Sequence, residues 1–178
     1  MARRLLTGVL LVGGASERFG SPKALARFEG ETLAERAWRT LGDACDERLA
    51  VGKRGELQLP FDVLDDGSDV RAPIAGVVAG LRAAAHDVCV FLPVDCPHVT
   101  AEVLRTFGEA CRDAAVTTEG PLPGAWCRSS LPVLERRLRE GRLSLLGAYE
   151  ELDVATIDVE PTLVADADTP EELARLLS

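Results

Sequence analysis

The chain is predicted to be an α/β protein with helices on both faces of a mainly parallel sheet. Apolar runs bounded by turn residues alternate with helical patterns from one end to the other, the signature of stacked strand–helix–strand units. One of these runs, Val88 to Val94, is apolar without interruption, as expected of a central strand buried on both faces. The 178 residues are 47% hydrophobic but only 4% aromatic, so the core is expected to be built from Leu, Val and Ala. That length suits one domain, for which about 100–200 residues is usual, and a single unit spanning 1–178 is expected.

The elements follow in order. A first strand at 5–12 runs straight into Gly13 and Gly14. Thr32-Leu33-Ala34-Glu35 is a capping box, in which Thr32 caps an exposed N–H and Glu35 reaches back, and it opens a helix to about Ala44. Strands are expected at 47–52 and 62–64, a helix at 74–86, the central strand at 88–94, and a helix from Thr100. Further strands are read at 114–118 and 125–128. A helix then begins near Ser129 or Ser130 and stops before Gly141, followed by a short helix at 144–152 and a strand at 154–158. Thr169-Pro170-Glu171-Glu172 reads as a second capping box with Pro in the first turn, opening the last helix.

Charge narrows the function. The net charge is −9, yet residues 1–54 hold ten Lys/Arg against seven Asp/Glu, while residues 55–178 hold ten against twenty-two. An acidic surface repels nucleic-acid phosphates, so DNA or RNA binding is disfavoured, whereas a small anion in a local basic cradle is compatible. The five cysteines are scattered and form no Cys-x-x-Cys pair, which argues against a disulfide framework and a zinc site. No run approaches the ~18 apolar residues of a membrane helix, and the expected setting is the cytoplasm.

The first strand delivers the most informative loop. Gly13 and Gly14 carry no Cβ, so their backbone N–H groups can approach phosphate oxygens. Arg18 adds a planar fork of donors, and Lys23 a compact point charge. The loop is not a P-loop, because Ser21 and Pro22 separate Gly20 from Lys23, and adjacent Gly13-Gly14 breaks the dinucleotide fingerprint. A polyphosphate grip is the expected function; the ordinary alternative is a strand turning into a solvated loop.

Asp95 ends the central strand, at the sheet edge where open α/β proteins bind ligands. A phosphate-binding loop and a carboxylate on one rim imply a divalent cation, Mg²⁺ above others, since carboxylate and phosphate oxygens suit hard ions. Asp166 and Asp168 before the last helix, and Asp65 with Asp66 after a short strand, are candidates to complete its shell; turn chemistry is their ordinary explanation. Cys96 and His98 flank the same strand end but lack further ligands for a transition metal. His98 is otherwise a candidate base or a solvated loop residue.

With these residues in hand, the chain resembles the molybdenum cofactor guanylyltransferases, nucleotidyltransferases with a Rossmann-like sheet. The likeness covers nearly the whole length. It rests on Leu11-Val12-Gly13-Gly14 through Arg18-Phe19-Gly20 to Lys23, on Ala72-Pro73-Ile74-Ala75-Gly76, on Pro93-Val94-Asp95-Cys96-Pro97 and on Asp168-Thr169-Pro170-Glu171-Glu172-Leu173. The resemblance implies a three-layer α/β/α sandwich of nucleotidyltransferase type. It implies that Leu11, Val12 and Gly13 contact a guanine nucleotide, with Gly14 in the same loop, that Lys23 and Arg18 hold its phosphates, that Asp65 contacts the nucleotide, and that Asp95 holds Mg²⁺; Asp168 as a second ligand comes from the chain's own acidic residues and not from the resemblance. Arg18, Lys23 and Asp95 are the implied catalytic set. The chain departs from the family pattern at Val12 for Ala, Ala72 for Gly and Asp168 for Asn, lacks the base-contacting Asn near Val51-Gly52, and has Arg142-Leu143-Ser144 in place of paired arginines.

The implied reaction is attack by a terminal phosphate of molybdopterin on the α-phosphorus of GTP, with release of pyrophosphate. Such a transfer asks for positioning and charge neutralisation rather than a nucleophilic side chain. Rival readings keep the chemistry and change the substrates, to CTP with molybdopterin or another nucleoside triphosphate with a sugar or alditol phosphate. A non-catalytic nucleotide-binding module is the rival from another class. Molybdoenzymes are expected as transient partners.

Overall fold

The computed structural model of the chain describes residues 2–13, 19–20 and 22–178. Strands β1 (Leu6–Leu11), β4 (Glu47–Gly52), β5 (Leu64–Asp65), β6 (Val88–Pro93), β7 (Ala114–Thr117), β8 (Gly120–Cys127) and β9 (Val154–Thr156) form one sheet in the order β5-β4-β1-β6-β8-β7-β9. Strands β2 (Arg27–Phe28) and β3 (Glu31–Thr32) form a separate small hairpin. The helices are α1 (Leu33–Ala44), α2 (Pro73–Ala83), α3 (Ala101–Ala110), α4 (Leu131–Arg139) and α5 (Pro170–Arg175). Among the described residues no helix is long and apolar enough to cross a membrane.

Strand alternation sorts the core into two layers. Leu6, Leu10 and Val12 of the first strand segment, with Val88, Val90 and Leu92 of β6, pack with Leu41 of α1 and Leu104 and Phe107 of α3. The intervening Val9, Leu11, Cys89 and Phe91 pack on the other face with Ile74, Val77 and Leu81 of α2 and Leu134 of α4. The period of two along each strand therefore produces the three-layer sandwich. Gly76 and Gly80 let α2 lie close against the sheet: a Cβ at Gly76 would come within 2.8 Å of Leu11, and one at Gly80 within 2.8 Å of the Phe91 ring.

The capping box of α1 is present in full. Glu35 N–H donates to Thr32 Oγ1 at 3.1 Å, and Thr32 N–H donates to Glu35 Oε2 at 2.8 Å. The second box is rearranged: Glu172 N–H donates to Thr169 Oγ1 at 3.1 Å, but the Glu172 carboxylate accepts from Asp168 N–H at 2.6 Å, one residue before the cap.

Three expectations need correction, and one further element was not expected. The strand placed at 125–128 begins at Gly120 and runs antiparallel to both β6 and β7; Pro121 and Pro123 hide it, because proline argues against a strand interior. Strand 62–64 is shifted to Leu64–Asp65 at the exposed sheet edge. The helix at 144–152 is a 3₁₀ segment, Leu146–Glu151. The β2–β3 hairpin escapes sequence reading because its strands are two residues long; it turns through Glu29 and Gly30 at φ 51 and 88, both left-handed, as a two-residue hairpin requires.

Topology positions the site. From β1 the chain crosses through α1 to β4 on one side, then returns through α2 to β6 on the other side of β1. The three parallel strands β4, β1 and β6 thus present their carboxyl ends together, at the point where strand order reverses and a crevice opens.

Candidate active site at the carboxyl ends of β1, β4 and β6

The backbone beyond β1 is pinned on both sides. Val12 N–H donates to Val51 O and Val94 N–H donates to Leu11 O, each at 3.1 Å. Gly13 then passes against Gly52, where a Cβ would stand 2.8 Å from Val12 Cγ2 and 3.2 Å from the Gly13 nitrogen. A side chain at Gly52 would press on Val12 and the Gly13 backbone, whereas one at Gly13 would make only ordinary contact with Gly52. Gly14 and Arg18 lie outside the described residues.

Lys23 opens a 3₁₀ turn, Lys23–Leu25, anchored by buried Ala24. Its Nζ donates to Asp95 Oδ2 at 3.0 Å and to Asp168 Oδ1 at 2.8 Å. Burial alone lowers the affinity of the Lys23 ammonium for its proton, but the hydrogen bonds and charges of Asp168 and Asp95 outweigh it and leave the pKa above the ordinary lysine value. Ala167 N–H donates to the Asp95 carbonyl at 3.0 Å, which ties the 165–168 segment to the end of β6.

That tie gathers Asp95, Asp166 and Asp168, whose carboxylate oxygens lie within 4.8 Å of one another. Burial, and then the nearby charge of Asp95, raise the Asp166 pKa above the usual carboxylate value. Crowded oxygen donors of one sign suit a hard divalent cation, which needs several oxygens and tolerates their charge. Cys96 is not a competitor for it. Its Sγ sits 3.7 Å from Asp95 Oδ1, and burial followed by that neighbouring charge push the thiol well above its ordinary pKa. His98 is tied to structure, with Nε2 at 2.7 Å from Leu176 O and its ring edge-on to Phe28 at 5.6 Å. Since a carbonyl only accepts, His98 Nε2 carries the proton.

A cleft of about 290 Å³ joins these parts. Leu11, Val12, Gly13, Lys23, Asp95 and Asp168 line it, together with Gly52, Lys53, Asp66 and Arg71. Asp65 does not line the cleft. Its carboxylate accepts from Arg54 N–H at 3.0 Å and Gly67 N–H at 2.7 Å, and these backbone donors hold its pKa below the usual carboxylate value. Sequence reading missed Lys53, whose one visible signal is a cation directly after a parallel strand.

The MobA-like NTP transferase domain family matches residues 8–170 of the chain. The molybdenum cofactor guanylyltransferase of Desulfosudis oleivorans is 31% identical to it, across 96% of this chain and 93% of that protein. The chain belongs to the molybdenum cofactor guanylyltransferase family. The probable molybdenum cofactor guanylyltransferase of Deinococcus radiodurans is 30% identical over the same shares of the two proteins. The fold agrees with a crystal structure of molybdopterin-guanine dinucleotide biosynthesis protein A from Archaeoglobus fulgidus, at a TM-score of 0.82 with 24% identity and 96% of each chain covered. In this nucleotidyltransferase Gly13, Lys23 and Asp95 line one cleft.

Proposed function

We propose that this enzyme transfers GMP from GTP to the terminal phosphate of molybdopterin and releases pyrophosphate, with Mg²⁺ as its divalent cation. The observation that carries the reading is the meeting of Lys23 with Asp95 and Asp168 in the cleft that Gly13 also lines. The triphosphate lies over the glycine segment, where Gly13 and, beyond the described residues, Gly14 and Arg18 offer it donors. Lys23 turns its charge to the phosphates as they enter. Asp95 and Asp168, with Asp166 beside them, hold the cation, which neutralises phosphate charge when bound.

Leu11 and Val12, which both line the cleft, give the nucleotide an apolar contact. Asp65 serves the nucleotide indirectly, by stapling the loop after β4 to the loop after β5 through Arg54 and Gly67. The attacking phosphate is already ionised at neutral pH, so no side chain has to take a proton, and the chain's residues act by alignment and charge. That agrees with the inert thiol of Cys96 and the structural use of His98.

Pyrophosphate release from GTP, CTP and ATP, each with Mg²⁺ and with or without molybdopterin, tests the reading. Release with GTP that depends on molybdopterin is expected. Release with CTP but not GTP would replace the base assignment, and release only with a sugar phosphate would replace the acceptor.

A further inference from the structure

A second lysine stands in the same cleft and does something different from the first. Lys53 follows β4 directly, and its ammonium makes three hydrogen bonds: to Asp66 Oδ1 at 2.7 Å, to the Ser68 carbonyl, and to the Val70 carbonyl at 3.2 Å. An ammonium has three donors, so all of its hydrogens are spent on one loop. The pair is sheltered, with side chains 15% and 9% exposed for Lys53 and Asp66. The loop is tied to the same strand through Asp66 N–H, which donates to Gly52 O at 3.0 Å, and is closed internally by Ser68 N–H on Asp66 Oδ1 at 2.9 Å. Lys53 and Asp66, which directly follow β4 and β5, both line the cleft.

We infer that Lys53 is a positioning residue for nucleotide binding. It acts through Asp66 and the backbone of residues 66–70, holding that loop so that Asp66 and the following Arg71 stay in the cleft lining on which the nucleoside end of the substrate rests. Without the ammonium, two carbonyls and a sheltered carboxylate lose their common donor, and the loop must move to find water. The lining then no longer matches the nucleoside, while Lys23, Asp95 and Asp168 stay in place. Binding suffers and the chemical step does not. This assignment rests on the nucleotidyl-transfer reading given above.

The test uses Lys53→Met and Asp66→Asn in the full chain, with GTP affinity by calorimetry and steady-state pyrophosphate release. Each variant is expected to raise the KM for GTP about tenfold or more, the loss a broken sheltered pair brings, with kcat within about threefold. Both are expected to narrow the preference for GTP over other nucleoside triphosphates. The double variant should be no worse than the poorer single one, because the two residues act as one unit. A role in folding alone predicts less active protein at unchanged KM, and that result overturns the inference; so do additive losses. If Lys53→Met does not fold, Asp66→Asn decides by the same KM criterion. Wild-type protein that binds no GTP would sink the nucleotidyl-transfer reading and this assignment with it, whereas tight wild-type binding with unchanged variants sinks the assignment alone.

Discussion

Lys23 Nζ stands 3.0 Å from Asp95 Oδ2, joining two residues 72 positions apart in the chain. The same ammonium reaches Asp168, 145 positions away. One lysine thus ties the first strand's loop, the central strand and the segment before α5 into a single polar cluster, and its neighbours decide what each member does.

Asp95 is the member at the centre of that cluster. Asp95→Asn keeps the shape but removes the charge needed for a cation, and turnover is expected to fall about 100-fold or more, the scale on which removal of a charge-stabilising group acts. GTP binding should remain measurable by calorimetry. Unchanged pyrophosphate release would remove Asp95 from the metal site.

Lys23→Met should weaken triphosphate binding about tenfold, against a smaller loss for GMP, which lacks the phosphates this cation meets. Equal affinity for both ligands in wild type and variant would sink the phosphate role. Because the folded-state pKa is raised above the ordinary 10.5, the stability from these ion pairs is complete below that value and disappears as pH rises through the raised one. Thermal unfolding of wild type and Lys23→Met should therefore differ by a constant amount from pH 6 to pH 9 and converge only in stronger alkali.

Asp166 follows the same direction in a far more acidic window. Its carboxyl is raised above the ordinary 3.8 by burial and by Asp95, so the stability tied to its protonated form is full below that value and lost as pH rises through the raised one. Asp166→Asn removes that repulsion. The residue is exposed, so solvent screens the effect, and Tm at pH 7 without divalent cation should rise by about 1–2 °C. The extra stability conferred by added Mg²⁺ or Mn²⁺ should shrink in the same variant. A lower Tm in the absence of cation would contradict the repulsion.

The cysteines should be silent. Burial pushes Cys45, Cys89 and Cys111 up to about 12, and Cys96 well above its ordinary value. At pH 8 only about one thiol in 10⁴ with such a pKa is ionised. Mass spectrometry after iodoacetamide treatment should find these four unmodified in the native protein and modified after unfolding in guanidinium. Rapid native labelling of Cys96 would show a reactive thiol beside Asp95.

What was legible in the chain was local. The buried strand into Gly13, the Thr32–Glu35 box, the apolar run ending at Asp95 and the Thr169 cap all rest on neighbours within four residues, where side-chain periodicity and capping act directly. Where two prolines interrupt β8, or strands are two residues long as in β2 and β3, partners elsewhere in the chain decide, and local patterns mislead.

The site divides in the same way. Sequence alone marked Lys23, Asp95, Asp166 and Asp168 as chemistry-bearing, because a glycine loop and a carboxylate at a strand end have few other uses in combination. Tertiary structure alone decided that Lys23 bridges two of those carboxylates, that Asp66 rather than Asp65 lines the cleft, and that Lys53 is committed to a loop. Those outcomes depend on sheet order: β4, β1 and β6 lie side by side only because the chain crosses once on each side of β1, and a carboxylate's partner is whatever that crossing brings within about 3 Å of it.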